Sequence, residues 1–250
     1  MNALQIKQFK LIKTEITRFM MMYKFALNEL ETKVEILQEE FQLLHDYNPI
    51  EHTKSRLKSP ESIWNKLKRK QGGLSFDGIR EHVKDIAGLR ITCSFLSDIY
   101  RIRDMLEAQS DLKIVEVKDY IQHPKPNGYQ SLHLIVEVPV YMSDGKEFAC
   151  VEIQIRTIAM DFWASLEHKI YYKYNETVPA QLLRELKEAA DAAAALDRQM
   201  ERLHNEIQSI REEQEDGEAN ELTRIMINNQ QFSLPEALFG LLGDGRQEKD

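Results

Sequence analysis

The sequence predicts an α/β protein of the α+β kind, with a mixed β-sheet flanked by helices and a long helix near each end. Three observations support this fold class. Near both ends of the chain, apolar residues recur at alternating intervals of three and four, as they do on helices. Between these regions, short stretches alternate apolar and polar residues, as on strands with one buried face. The 250 residues, 42% of them apolar, suffice for one sizeable core.

A long N-terminal helix is predicted from a heptad pattern that ends at Asn48-Pro49. The apolar positions of this pattern are Ile16, Met20, Tyr23, Leu27, Leu30, Val34, Leu37, Phe41 and Leu44. A short helix follows, which begins at the cap Ser59-Pro60-Glu61 and ends at Gly72-Gly73. We expect Ile63 and Leu67 to face the core from this short helix.

Strands and helices alternate in the middle of the chain. Strands are predicted over 86–95, 112–118, 131–139 and 146–156, and helices over 97–110 and 158–172. The last two strands are joined at Ser143-Asp144-Gly145, a sequence that favours a hairpin turn. In the last strand, Glu152, Gln154 and Arg156 share the polar face.

A second long helix is predicted over 179–213. Its apolar positions are Leu186, Ala189, Ala193, Leu196, Met200, Leu203, Ile207 and Ile210. Both heptad patterns need partners: either they pack on the sheet or on each other, or part of them closes a homo-oligomer. The predicted organisation is a helix over 1–50, a core over 51–175, a helix over 176–213 and an acidic, flexible tail over 214–250. A short amphipathic segment is predicted near the end of that tail, from Ser233 to Leu242.

Composition excludes several classes of protein. The formal net charge of −8 disfavours wholesale nucleic-acid binding, so no DNA partner is expected. Cys93 and Cys150 lie in apolar runs without metal-ligand spacing, which argues against a disulfide scaffold or a zinc site. Neither a signal peptide nor a membrane-spanning stretch is recognised. We therefore expect a soluble, cytoplasmic protein with no membrane partner.

A basic cluster stands out against the acidic composition. Its members are Lys54, Arg56, Lys58, Lys66, Lys68, Arg69 and Lys70, with only Glu61 to offset them. A polyphosphate needs several fixed cations, and guanidinium groups suit its oxygens. Phosphate binding is one interpretation of this cluster, and a solvated basic surface is the other.

Two acidic residues and one loop complete the candidate site. Asp85 precedes the first of these strands and Glu152 lies on the polar face of the last, where two carboxylates would suit Mg²⁺ that also binds substrate phosphates. The loop from Lys125 to Ser131 presents Tyr129 as a possible stacking surface for a base, and His133 follows it on a polar face. Taken singly, each of these residues is better explained as a solvated acid, a packed loop tyrosine or a surface histidine.

Taken together, these segments resemble a known family. In order along the chain they are HTKSRLKSPESIWNKLKRK, DIAGLRITCSF, PKPNGYQSLHL, VEIQIRT and MDFWASLEHKIYYKY. They resemble the synthetase domain of the RelA/SpoT-type enzymes, which make the alarmones ppGpp and pppGpp in the stringent response. The resemblance covers about residues 15–210 and is strongest to the small alarmone synthetases, which carry that domain alone.

The resemblance implies a nucleotidyltransferase-like fold and a pyrophosphate transfer from ATP to the 3′-hydroxyl of GDP or GTP, with Mg²⁺ as cofactor. It implies ATP binding by Arg56, Lys58, Lys66, Arg69 and Arg90, and Mg²⁺ binding and catalysis by Asp85 and Glu152. It also implies guanine-nucleotide binding by Tyr129, Lys125, His133, Gln154 and Glu167. A homotetramer and synthesis without hydrolysis are further implications, and His45-Asp46 is interpreted as structural rather than as part of a hydrolase site.

The sequence departs from the family pattern at two positions, and two other functions stay open. Gln130 stands where many relatives have arginine, so one acceptor-phosphate contact is expected to differ. His52 stands where one branch has an aromatic residue that helps to hold a regulatory alarmone, so strong product activation is not expected. The alternatives are a nucleotidyltransferase of other specificity and an RNA-binding helical oligomer.

Overall fold

The computed structural model describes residues 3–45, 47–70, 73, 75–172, 179–214, 224–227 and 230–233. Its helices are α1 (Ala3–Leu44), α2 (Pro60–Arg69), α3 (Phe76–His82), α4 (Leu96–Glu107), α5 (Ile158–Tyr172) and α6 (Ala180–Gln214). Its strands are β1 (Ile50–Leu57), β2 (Ala87–Cys93), β3 (Lys113–Asp119), β4 (Leu132–Met142), β5 (Gly145–Thr157), β6 (Arg224–Ile227) and β7 (Gln230–Ser233).

The sheet at the centre of the molecule has the strand order β1-β2-β5-β4-β3. Strands β2 and β5 pair in parallel, and each of the other neighbouring pairs is antiparallel. The predicted mixed sheet flanked by helices is therefore confirmed. A parallel pair needs a long crossover, which α4, β3 and β4 supply here.

One face of the sheet is apolar and carries the core. Leu89, Ile91, Ile153 and Ile155 on the two central strands are all buried there. Helices α1, α2 and α4 contribute to the same buried cluster, so the sheet and these helices share one core. Ser59 caps α2 by accepting a hydrogen bond from Ser62 N at 3.2 Å, and the predicted burial of Ile63 and Leu67 is confirmed.

Helix α1 packs its heptad pattern on this core. The pattern is buried from Tyr23 to Phe41, whereas Ile16 and Leu44 at its ends are exposed. The predicted helix end at Asn48-Pro49 is wrong, because α1 ends at Leu44. The Asn48 side chain accepts a hydrogen bond from Ile50 N at 2.9 Å, which turns the chain into β1 and takes these residues out of the helix.

Four elements were not predicted. Strand β1 is an edge strand in which only Ile50 is buried, so it lacks the apolar alternation by which strands are recognised. Helix α3 has 7 residues and is capped by Ser75, which accepts a hydrogen bond from Gly78 N at 3.0 Å. The antiparallel pair β6–β7 lies in the predicted flexible tail. The predicted helix stop at Gly72, the dipeptide residue Asp46 and most of residues 215–250 fall outside the described residues.

Helix α6 leaves most of its apolar stripe exposed. Its buried residues are Ala190 and Asp197, and the Asp197 carboxylate accepts a hydrogen bond from Thr157 Oγ1 at 2.6 Å. Glu201 accepts one from Ser97 N at 2.8 Å, which places a carboxylate at the N-terminus of α4. The exposed stripe consists of Leu196, Met200, Leu203, Ile207 and Ile210. The α1 pattern therefore packs within the chain, whereas most of the α6 pattern does not.

None of the helices in the described part of the chain is both long enough and apolar enough to cross a membrane.

The packing of α1 gives a direct test of this core. Leu30 is 0% exposed and Leu43, on the same helix, is 49% exposed. We expect Leu30→Ala to lower the free energy of unfolding by about 2–5 kcal/mol because it leaves a cavity in the core. Leu43→Ala should change it by less than about 1 kcal/mol. Urea denaturation of both variants measures the difference, and equal effects would contradict the burial of the α1 pattern.

Candidate active site

The polar face of the sheet carries charged side chains in rows, because directly paired residues project from the same face. In one row, Arg56 on β1 pairs with Gly88 on β2, and Gly88 pairs with Glu152 on β5. In the next row, Arg90 on β2 pairs with Gln154 on β5. The strand register thus brings together residues that lie far apart in the sequence.

A pocket of about 220 Å³ opens between these rows. Its lining residues are Lys54, Ser55, Arg56, Gly88, Leu89, Arg90, Glu152 and Gln154. Gly88 has no side chain and so leaves space in its row. A β-carbon added there would lie 3.4 Å from Arg56 Nε and would occupy part of that space. The pocket therefore has two guanidinium groups and one carboxylate around a floor without a side chain.

Glu152 lies at the centre of this polar face. Its Oε2 accepts a hydrogen bond from Gln154 Nε2 at 2.9 Å and lies 3.7 Å from Arg56 Nη2. Its Oε1 lies 3.6 Å from His133 Nδ1. Burial opposes ionisation, but His133 and Gln154 outweigh it and hold the pKa of Glu152 below its usual value. The carboxylate is therefore ionised at neutral pH and can accept a proton.

Asp85 lies two residues before β2, whose first residue, Ala87, pairs with Val151 beside Glu152. The Asp85 Oδ2 atom is 2.7 Å from Lys58 Nζ and 2.6 Å from Lys66 Nζ. Burial alone would raise the pKa of Asp85, but these two ammonium groups lower it to about 2. The buried Oδ1 atom has no hydrogen-bond partner among the described residues.

These two carboxylates fit a Mg²⁺ ion that takes most of its ligands from phosphates and water. The Asp85 Oδ1 atom, which lacks a hydrogen-bond partner among the described residues, is the oxygen that could serve such an ion. Within the described ranges, no group of three or more histidine, cysteine, aspartate or glutamate side chains could hold a metal. An all-protein metal cage is therefore not present in that part of the chain.

The loop before β4 presents Tyr129 beside the pocket. Gly128 has φ +87°, and a β-carbon at this position would overlap the β-carbon of Ala190 on α6. Glycine therefore allows both the turn and the close approach to α6. Tyr129 Oη lies 2.7 Å from His133 Nε2, and Lys125 Nζ lies 4.5 Å from the centre of the Tyr129 ring.

The structure brings most of the predicted site residues together, but some of them contact other side chains instead of lining the pocket. Arg56, Arg90, Glu152 and Gln154 line the pocket, and His133 and Tyr129 adjoin it. Glu167 accepts a hydrogen bond from Asn127 Nδ2 at 3.2 Å, which ties α5 to the loop. Lys58 and Lys66 hold Asp85 rather than line the pocket.

Arg69 is not brought into this network. It is exposed on α2 and forms no ion pair with any residue that the structure describes. Lys68 and Lys70 are exposed as well, so the basic cluster divides into a part at the pocket, a part at Asp85 and a solvated part.

Two residues of the network were not predicted as site residues. Arg156 Nη2 donates to Tyr129 Oη and to Gln154 Oε1, each at 2.7 Å. Asp161 Oδ1 lies 3.0 Å from Arg90 Nη1 and 3.1 Å from Arg156 Nη1. The alternation of β5 placed Arg156 on the polar face without indicating its partners. Asp161 carried no signal of its own, because an acid in the first turn of a helix is common.

Comparisons with known proteins identify relatives of this chain. A family model described as "Region found in RelA / SpoT proteins" matches residues 55–177. The GTP pyrophosphokinase YwaC of Bacillus subtilis is 54% identical over 207 residues, which are 83% of this chain and 99% of YwaC. The predicted resemblance to small alarmone synthetases is confirmed by these matches and by solved structures.

Three solved structures from Bacillus subtilis share the fold. Small alarmone synthetase 2 superposes with a TM-score of 0.71 and 57% identity, covering 77% of this chain and 99% of that one. Small alarmone synthetase 1 bound to its product pppGpp gives 0.72 and 38%, covering 78% and 98%. The same synthetase bound to AMPCPP gives 0.66 and 35%, again covering 78% and 98%.

The lowered pKa of Asp85 predicts how acid affects stability. A carboxyl group whose pKa falls from about 4 on average when unfolded to about 2 when folded stabilises the fold above pH 4. This contribution is lost as the pH falls from about 4 to about 2. We expect Asp85→Asn to lose less stability than the unsubstituted chain across this interval. Urea denaturation at a series of pH values measures it, and parallel pH profiles would contradict the Asp85 ion pairs.

Proposed function

The chain belongs to the RelA/SpoT family, among the small alarmone synthetases, and we infer that it is a GTP pyrophosphokinase. It transfers the β,γ-pyrophosphate group of ATP to the 3′-hydroxyl of GDP or GTP in the stringent response. The bond between the β-phosphorus and the oxygen that bridges it to the α-phosphorus breaks, and a bond from the 3′-oxygen to the β-phosphorus forms. AMP leaves with the bridging oxygen, and the product is ppGpp or pppGpp.

The observation that carries this function is the position of the Glu152 carboxylate. It lines the pocket with Arg56 and Arg90 and also lies 3.6 Å from His133, which adjoins the Tyr129 loop. A donor held by guanidinium groups and an acceptor held at the loop would therefore meet at an ionised carboxylate. Positioning two nucleotides in this way supplies much of the catalysis in phosphoryl transfer.

We assign the donor nucleotide to the basic side of this arrangement. Arg56 and Arg90 present guanidinium groups to the pocket, and Lys54 adds a third cation. Lys58 and Lys66 act on this side through Asp85, to which both are ion-paired. Arg69 is assigned a weaker, solvent-exposed contribution because the structure gives it no partner among the described residues.

We assign the guanine nucleotide to the loop side. Tyr129 offers a ring for stacking. Lys125 lies over that ring, and its ammonium group could exchange this cation–π contact for one with an acceptor phosphate. His133 and Gln154 are paired across β4 and β5, next to the loop. Glu167 accepts a hydrogen bond from Asn127 and so acts on this side through the loop.

Glu152 is proposed as the group that takes the proton from the 3′-hydroxyl, since its ionised carboxylate lines the pocket and lies beside His133 on the acceptor side. Asp85 and Glu152 are proposed as the protein ligands of Mg²⁺. When bound, the ion would offset the negative charge that develops on the non-bridging phosphate oxygens. The cations of the pocket would offset the same charge.

We propose that the chain forms a homo-oligomer, and a homotetramer is the form that the family resemblance predicts. Helices α5 and α6 support this through an apolar groove of about 1070 Å³. Ile158, Phe162, Leu196, Met200 and Ile207 line it and are exposed. An apolar surface of this kind on a folded chain is typical of a protein interface.

Synthesis without hydrolysis and a cytoplasmic location remain proposals. ATP and guanine nucleotides are cytoplasmic metabolites, which suits the proposed location. His52 is exposed on β1, and strong product activation is still not expected at that position.

The oligomer is tested by a charge in the groove. Ile207 on α6 is 53% exposed, and Ile36 on α1 is 58% exposed. We expect Ile207→Glu to lower the mass measured by light scattering, because a carboxylate would be desolvated in the interface. Ile36→Glu, which lies outside the groove, should leave the mass unchanged. An unchanged mass for Ile207→Glu would contradict this interface.

The function is tested by removing the proton acceptor. We expect Glu152→Gln to lower turnover by at least about 100-fold, because the amide cannot take the proton, while nucleotide binding largely survives. Labelled ATP, Mg²⁺ and GDP or GTP are incubated and the products separated by thin-layer chromatography. Glu137→Gln on the neighbouring strand is the matched control and should remain active.

Each outcome of that assay has a definite meaning. AMP together with a guanosine 3′-diphosphate supports pyrophosphate transfer, whereas free pyrophosphate would indicate nucleotidyl transfer instead. Near-normal turnover of Glu152→Gln would remove this residue from the mechanism. An inactive chain that binds single-stranded RNA with steep salt dependence would favour the RNA-binding alternative.

A further inference from the structure

We propose that Asp161 is a positioning residue that aligns the donor and acceptor sides of the site at the same time. This inference rests on the proposed function and extends it to a residue of α5. Asp161 reaches both sides through a single oxygen. Its Oδ1 atom lies 3.0 Å from Arg90 Nη1 and 3.1 Å from Arg156 Nη1.

Burial makes this shared carboxylate necessary. The Arg156 side chain is 5% exposed and the Asp161 side chain 19% exposed, so neither charge is well screened by water. Burial and the positive charge of Arg156 lower the pKa of Arg90, while Asp161 opposes them. Since arginine stays protonated, the two guanidinium groups would have to move apart if the carboxylate were absent.

On the donor side, Asp161 fixes Arg90. Arg90 lines the pocket, and its Nε atom is buried without a hydrogen-bond partner in the described part of the chain. Asp161 is the only residue among those described that forms an ion pair with Arg90. The direction in which Arg90 presents its guanidinium group to the pocket therefore depends on α5.

On the acceptor side, Asp161 acts through Arg156. Arg156 Nη2 donates to Tyr129 Oη and to Gln154 Oε1, each at 2.7 Å. Gln154 Nε2 in turn donates to Glu152 Oε2 at 2.9 Å. A shift of Arg156 would therefore move both the ring of the loop and an amide that orients the Glu152 carboxylate.

A purely structural ion pair would behave differently. It would stabilise the first turn of α5, and its loss would lower the free energy of unfolding without a change in either KM. A positioning role predicts that both KM values rise together. The distinguishing measurement is therefore two-substrate kinetics, combined with a thermal melt of each variant.

The experiment compares substitutions on each side of the carboxylate. In Asp161→Asn, we expect the KM for ATP and the KM for the guanine nucleotide each to rise about tenfold. Arg90→Gln should raise mainly the KM for ATP, and Arg156→Lys mainly the KM for the guanine nucleotide. Asp104→Asn is the matched control, because Asp104 is exposed on α4 and also pairs with an arginine, Arg103. It should change neither KM.

A second variant covers the case in which Asp161→Asn does not fold. Asp161→Glu keeps the charge but moves the shared oxygen, so both KM values should rise in parallel, by about threefold. A rise in only one KM, or in neither, with either folded variant would overturn the inference. If the unsubstituted chain forms no AMP from ATP and a guanine nucleotide, the proposed function fails as well. An active chain with unchanged KM values in the Asp161 variants would overturn this inference alone.

Discussion

The site depends on a repeated electrostatic arrangement, in which one half-buried carboxylate lies between two basic side chains. The three sets are Asp85 with Lys58 and Lys66, Asp161 with Arg90 and Arg156, and Glu152 with His133 and Arg56. A buried charge needs a partner, and each carboxylate serves two at once. The polar face therefore keeps an excess of positive charge in a chain whose formal net charge is −8. That excess is what a polyphosphate donor requires.

Much of the fold could be predicted because its elements have strong local signals. Strand β5 alternates buried and half-buried residues, α2 has a capping serine, and α5 has the predicted bounds. Strand β1 could not be predicted because it is a polar edge strand, held in place by pairing with β2. For α6, the spacing of the apolar residues identified one face of the helix correctly. Such a spacing does not indicate whether the chain itself or a second copy covers that face.

The candidate site was predictable where strand alternation decided it. Glu152 and Gln154 share the polar face, and the register then added Arg56 and Arg90 from two other strands. The contact of Lys66 with Asp85 could not be read from the sequence, since it depends on how α2 packs. The proposed role of Asp161 depends on its contacts with two arginines on neighbouring strands, so the local sequence could not have indicated it.

The parallel pairing of β2 with β5 also governs when the site can form during folding. The donor-side residues precede α4, and the acceptor-side residues follow β3, so the two groups meet only when this long-range pairing closes. Such contacts form slowly, because the intervening chain must first be ordered. A chain still emerging from the ribosome therefore has no complete site until β5 has been made and has joined the sheet.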